Sequence, residues 1–334
     1  MTHTAPQAGK SAVAADSPRY RFGSKTVSST LLLPALPIAR TTPEPSDILI
    51  ERTQGAALVD ADWIHHWQER YGVVLSLARR GDDFWLRFPD VADFQLQLAL
   101  GRIGVLANAD ADDTTLEHLL VDQVLPRFVA QLDTLVTHAS AVGICDRHAL
   151  FLGHSGWGKS TLAGLLHGSG HRVLSDDCVQ LIAQDGQILA LSTYPSLRLL
   201  PDSLDQLFPG MDNTVRVADY SEKQRVPFAP RESDELAAPL HALYLLGDPA
   251  EVHDAPQISP LSPADACRAL IEHSFRLDLG DRQASAGHFA RCSAAARAIP
   301  AFQLRYPRDY AQGPALVSHI MQHLAGLSPG RSGN

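Results

Sequence analysis

The stretch GHSGWGKST at 153–161 decides how this chain of 334 residues is read. It follows the apolar run ALFL (149–152) and leads into TLAGLLHGSG (161–170), which is helical in pattern and ends in glycines. Strand, glycine loop, helix is the setting that the spacing G-x-x-x-x-G-K-[ST] requires of a phosphate-binding loop. Gly153, Gly156 and Gly158 let the backbone turn tightly and aim successive N–H groups inward, and the start of the helix adds its own free N–H groups. In this pattern Lys159 reaches the β- and γ-phosphates and the Ser160 hydroxyl ligates Mg²⁺. The nucleotide-contacting set predicted is therefore Gly153, His154, Ser155, Gly156, Trp157, Gly158, Lys159, Ser160 and Thr161. Trp157 stands where small residues are commoner; it is expected to cover the nucleotide or to pack against an amino-terminal domain. A glycine-rich surface turn is the bland alternative.

Working outward, 17 residues separate Lys159 from Asp176, room for one short helix and one return strand. A right-handed crossover lays that strand in the same sheet. Asp176 and Asp177 then emerge at its carboxyl end, where ligands bind in open α/β sheets. Read as a single strand, HRVLSDDCVQLIA (171–183) turns the adjacent acids to opposite faces and gives them different tasks. One approaches a Mg²⁺ shell and the other faces an acceptor hydroxyl. A solvated strand end would carry the same two acids without chemistry.

The composition, 45% hydrophobic and 19% charged, is that of a globular protein. A net charge of −9 argues against nucleic acid or an anionic membrane as partner. No apolar run reaches the roughly 18 residues a membrane span needs. The four cysteines are scattered without a CxxC pair, so buried free thiols in a reducing cytoplasm are expected. No metal-ligand cluster is visible apart from the Mg²⁺ site. Only four lysines occur, Lys10, Lys25, Lys159 and Lys223, against 24 arginines. A compact point charge that a guanidinium cannot replace is one reason to keep a lysine, which singles out Lys159 and Lys223.

The fold class predicted is α/β, a P-loop domain with a smaller amino-terminal mixed α+β domain. Residues 1–18 read as a disordered tail and 19–111 as the mixed domain, with strands at 47–53, 73–80, 84–90 and 92–107. DADWIHHWQERYG (60–72) reads as a short helix capped by Asp60, with His65 and His66 as helix packing. At 112–136 a connecting helical segment has apolar residues at helical spacing: Leu116, Leu119, Leu120, Val124, Leu125, Phe128, Leu132 and Leu135. Thr114 with Glu117 fits a capping box, and Pro126 is expected to kink or divide the helix. The P-loop domain follows over 137–328, and 329–334 is a loose tail.

HASAV (138–142), GHSGWGKST (153–161) and GHRVLSDD (170–177) together resemble the HPr serine kinase/phosphorylase family, whose fold is related to that of nucleotide-dependent phosphoenolpyruvate carboxykinases. The chain is more similar still to the HPr-kinase-like proteins of ribosomal-peptide biosynthesis, including kinases that phosphorylate the C-terminal serine of lasso-peptide precursors. That likeness lies in the region ahead of HASAV, in the SDD, in YPSLRLLPD (194–202) and in EKQRVP (222–227). The resemblance implies ATP and Mg²⁺ as cofactors and a peptide bearing an acceptor Ser as substrate, with homo-oligomeric assembly open. It puts His138 near the transferred phosphoryl group, the triphosphate on Lys159 and the loop, and Mg²⁺ on Ser160. Asp176 becomes the general base and Asp177 the support for the metal. Arg198, Lys223 and Arg225 become candidates for neutralising phosphate or gripping substrate. The glycine-rich signature of true HPr kinases is replaced here by YPSLRLLPD. A kinase of the carrier protein HPr and a non-catalytic nucleotide-sensing or peptide-binding module are the rival readings.

Overall fold

The computed structural model describes residues 18–39, 45–53, 62–69, 72–228, 237–278 and 280–327. The expected tails at 1–18 and 329–334 lie outside them, Pro18 apart. The described residues form four sheets.

The first sheet has eight strands, in the order Arg19–Phe22, Lys25–Ser29, Ile48–Arg52, Arg102–Ala107, Ala92–Gln97, Asp83–Phe88, Gly72–Arg80 and Trp63–Glu69. Alternation decides which face is inward: in DFWLRF, Phe84, Leu86 and Phe88 are buried and their neighbours are not. Against that face lies a helical rod running from Asp113 to Ala130. Leu116, Leu119, Leu120, Val124, Leu125 and Phe128 are each at most 2% exposed, as the spacing predicts. Truncating a residue so placed, Phe128→Ala for instance, costs about 3–5 kcal/mol. The same core takes in Cys178, Tyr194, Phe275 and Leu277 from later in the chain, so the rod is a packing centre as well as a link.

Three details of this region differ from expectation. The rod is capped by Asp112, whose carboxylate accepts the Thr115 N–H at 2.9 Å, and not by Thr114. Glu117 turns away from the helix end to accept the Ala35 N–H (2.5 Å) and to pair with Arg225 (3.0 Å), because a buried carboxylate needs a buried donor. Pro126 does not break the rod: Leu120–Val124 winds as a wider π turn just before it, which absorbs the missing N–H. Nor is 63–69 helical. Trp63–Glu69 pairs antiparallel with Gly72–Arg80, and His66 Nδ1 meets Ser76 Oγ at 2.8 Å across the pair. An available sheet edge outweighs local propensity here, and His65 and His66 are exposed rather than packed. The proposed cap Asp60 lies outside the described residues.

The second sheet positions the site. Its order is Arg172–Ser175, Ala139–Ile144, Arg147–Leu152, Ala242–Leu246, Ala301–Arg305 and Gln257–Pro260. Arg147–Leu152, Ala242–Leu246 and Ala301–Arg305 run parallel. Ala149 and Phe151 face one layer of helices, which includes Lys159–Gly168 and Gly313–Gly326. Leu150 and Leu152 face the other, with Pro263–Glu272 and Arg282–Ala298. Such near-continuous apolar strands are what a sheet covered on both faces requires.

The return strand Arg172–Ser175 is in the same sheet, but Ala139–Ile144 lies between it and Arg147–Leu152, antiparallel to both. The two are therefore parallel and end on one rim. The stretch 171–183 is two strands instead of one. Arg172–Ser175 stops, the chain turns through Asp176, Asp177 (φ 60) and Cys178, and Val179–Gln184 enters a four-stranded sheet with Leu135–Thr137, Gln187–Ser192 and Ala237–Pro239. Ser175 Oγ and Thr193 Oγ1 both donate to the Cys178 carbonyl, at 2.7 and 2.8 Å, and fix this crossing. A small third layer of Ser196–Leu199, Gln224–Pro227 and Val215–Arg216 completes the surroundings. No helix among the described residues is long and apolar enough to cross a membrane. The cysteines are all free; Cys178, Cys267 and Cys292 are buried and Cys145 is exposed.

Candidate active site

The glycine loop leaves the end of Arg147–Leu152 and enters the helix Lys159–Gly168. Gly156 (φ 79) and Gly158 (φ 83) are left-handed, a conformation that costs other residues energy. A Cβ on Gly156 would meet nothing within 4 Å, because this residue faces solvent at the tip of the loop. Arg308 braces it from outside, donating to Trp157 O (2.9 Å) and Gly247 O (2.8 Å) while lying over the Tyr306 ring. Lys159 is 4% exposed. Its Nζ donates back to Gly153 O (2.8 Å) and His154 O (3.1 Å). Burial lowers its pKa, and Asp177 and Asp176 act against that. Ser155 is exposed at the tip, and Thr161 Oγ1 pairs with Ser203 Oγ at 3.1 Å. Trp157 lines a cavity of about 310 Å³ with Gly156, Thr161, Asp202, Tyr306 and Tyr310, and does not reach the eight-stranded sheet.

Asp176 sits beside this loop with no exposed surface. Its carboxylate accepts from Ser140 Oγ (2.5 Å), from the Arg198 N–H (3.3 Å) and from the Ser160 hydroxyl. Burial first, then the neighbouring charge of Asp177, pushes its pKa up to about 6. Asp177 is the more open of the two. Its oxygens lie 3.3 Å from His138 Nε2 and 3.6 Å from Lys223 Nζ. Burial works to raise its pKa, but Lys223, His138 and Lys159 together hold it well below the ordinary carboxylate range. His138 stacks flat on Phe275, with centroids 6.1 Å apart. Burial lowers its pKa, with Asp177 pulling the other way. The cluster thus presents a neutral imidazole, two carboxylates, a hydroxyl and two lysines at one rim.

Arg198 and Arg225 are placed otherwise. Arg198 is 1% exposed, packs over the Tyr194 ring and pairs with Asp122, which His118 also contacts at 2.7 Å. Arg225 is committed to Glu117. Only the backbone N–H of Arg198 reaches the acids. Their guanidiniums neutralise buried carboxylates that the sequence reading had assigned to helix capping or to nothing, which corrects their place as grips for phosphate. Ser140 was missed; it lies on Ala139–Ile144, two residues after His138, which occupies the bend between that strand and Leu135–Thr137. Arg308 left no signal in the sequence. His154 was predicted only as part of the nucleotide loop, and its grouping with Glu272 and His273 was missed, because only folding brings the three together. A second cavity, of about 730 Å³, opens between the first sheet and the rod and is lined by Trp67, Leu119, Arg127, His118 and Tyr220.

The donor set suits a divalent cation. Two adjacent carboxylates, one of them lifted by the charge of the other, and a hydroxyl at a helix start are hard oxygen ligands whose repulsion a cation relieves. Ser160, Asp176 and Asp177 would hold it.

No family model matches the sequence, and no curated protein matches it. Among solved structures, the chain is similar to the HPr(Ser) kinase/phosphatase from Coxiella burnetii, with 15% identity and a TM-score of 0.31, over 56% of this chain and 95% of that one.

Proposed function

We propose that the protein is a Mg²⁺- and ATP-dependent kinase that phosphorylates a serine hydroxyl of a peptide. The observation that carries this reading is the convergence of Lys159, Ser160, Asp176, Asp177, His138 and Lys223 at one sheet rim, next to a glycine loop with two left-handed glycines. Phosphoryl transfer needs alignment and charge neutralisation more than covalent help. The loop N–H groups and Lys159 bind the triphosphate, and the 310 Å³ cavity beside Trp157 takes the nucleoside. Mg²⁺, which Ser160 and Asp176 would hold, would supply neutralisation of charge on the phosphates.

The exposure pattern favours exchanging the roles expected of the two aspartates. A base must come within hydrogen-bond reach of the acceptor. Asp176 has no exposed surface, and its oxygens are occupied by Ser140, Ser160 and Arg198. Asp177 is reachable, ionised and oriented by His138. Asp177 therefore accepts the serine proton, and Asp176 serves the metal side. Lys223 stands where it can steady charge on the transferred group. The peptide substrate, and a C-terminal serine as its acceptor, is supported by the resemblance of 194–202 and 222–227.

Purified protein incubated with γ-labelled ATP and a peptide ending in serine should transfer label. Asp177→Asn should lower kcat by about 10²–10⁴-fold with nucleotide binding kept, and Asp176→Asn should weaken binding of the Mg²⁺ nucleotide. Near-wild-type turnover of Asp177→Asn would remove the base assignment. A wild-type protein that binds no nucleotide would remove the kinase reading altogether.

A further inference from the structure

Beside the glycine loop lies a group of ligand-bearing side chains that this chemistry does not use. His154 is the second residue of the loop. The helix Pro263–Glu272 ends at Glu272, and His273 caps it. The His154 ring meets the His273 ring edge-on at 4.9 Å, and His154 Nε2 lies 3.3 Å from Glu272 Oε1. One donor atom from each of the three residues falls within 4.8 Å of the others. His273 is buried at the end of the helix, which fixes its place in the group. His154 and Glu272 are exposed and free to close the remaining gap.

Two imidazoles and one carboxylate form a three-ligand set of the kind that binds Zn²⁺ and leaves a fourth position open. Bonds of about 2.0–2.2 Å require donors near the separation that His154 and Glu272 already have. Nitrogen donors select zinc and its transition-metal neighbours over Mg²⁺, which prefers oxygen.

We propose that His154, Glu272 and His273 bind a transition-metal ion of the zinc class, and that its binding opposes nucleotide binding. The second half follows from the loop. Lys159 Nζ is folded onto the carbonyls of Gly153 and His154. A phosphate in the loop needs that ammonium released and N–H groups turned inward. A metal on the His154 side chain fastens the same residue to the end of the helix and holds its carbonyl where Lys159 Nζ binds it. Two ligands that prefer different states of one element antagonise each other, and the coupling is reciprocal. This antagonism rests on the kinase reading; the metal site itself does not.

Co²⁺ alone is the probe for the site. Added to the full chain, it should give a visible absorption band that saturates at one equivalent and is displaced by Zn²⁺. Glu272→Gln and His273→Asn should each lose the band, with circular dichroism confirming that both remain folded. In a fluorescent-ATP titration with excess Mg²⁺, one equivalent of Zn²⁺ should weaken nucleotide binding about tenfold in the wild type and leave Glu272→Gln unaffected. No saturable Co²⁺ band, or a band that survives both substitutions, overturns the site. A band with nucleotide affinity unchanged by Zn²⁺ overturns the antagonism. Protein that takes up Co²⁺ but binds no nucleotide refutes the kinase reading and the antagonism with it, and leaves the metal site standing.

Discussion

Asp176→Asn should make the nucleotide-free protein more stable at neutral pH. The wild-type carboxyl is fully buried, and folding raises its pKa from 3.8 to about 6. At 1.36 kcal/mol per unit, the ionised form is disfavoured in the fold by about 3 kcal/mol. An amide of the same shape removes that penalty. It keeps an acceptor for the Ser140 hydroxyl but sets its NH₂ against the Arg198 N–H, a mismatch that costs about 1–3 kcal/mol. The net gain expected is about 1 kcal/mol, or about 1–2 °C in Tm for a chain of 334 residues. The pH dependence carries the sharper sign. A carboxyl whose pKa rises on folding binds more protons in the native state, so wild-type stability falls as pH climbs from 3.8 to about 6 and is flat above. Asp177, held low, behaves oppositely: its contribution is present above its unfolded value and is lost only in stronger acid. Urea unfolding of both proteins at pH 7 and pH 4.5 tests this. The advantage of Asp176→Asn should be present at pH 7 and shrink or reverse at pH 4.5. A variant less stable than wild type by the same amount at both pH values would refute the idea that Asp176 is held against its own desolvation.

Lys159→Met should abolish nucleotide binding, read by calorimetry, while circular dichroism shows the chain still folded, since it removes the ammonium held between the loop carbonyls and the two acids. Glu117→Ala strips Arg225 and the Ala35 N–H of their shared acceptor. It should cost about 3–5 kcal/mol, read by chemical denaturation, and a loss under 1 kcal/mol would show that the pair is solvated. Gly158→Ala places a Cβ at φ 83, 3.0 Å from Arg308 Nη1. It should cost at least 1–2 kcal/mol and weaken nucleotide affinity by calorimetry.

Local pattern made the loop, its helix and the rod's apolar face legible, because each is fixed by residues close in sequence. Leu116 to Phe128 pack as their spacing requires, and Gly156 and Gly158 turn through left-handed backbone between the strand and the helix. What failed was set by neighbours distant in the chain. Trp63–Glu69 took an open sheet edge over a helix. Glu117 left its cap for Arg225, a residue 108 positions away. The helix Arg282–Ala298 is rich in alanine and arginine and offered little apolar contrast to read. Asp176 and Asp177 were singled out by their position, but that Asp176 is fully buried and Asp177 is not is set by the fold, which adjacency in sequence does not reveal.

The break between Ser175 and Val179 has a mechanical consequence. Both acids sit on the seam where the polypeptide passes from one layer to the next, so sliding one layer over the other changes how far Asp177 stands from Lys159. Ser175 and Thr193, gripping the Cys178 carbonyl, act as the rivet in that seam. Loosening the rivet should slow the proposed phosphoryl transfer before it lowers the melting temperature, which makes the rate of that transfer the more sensitive gauge of how tightly the layers are fastened.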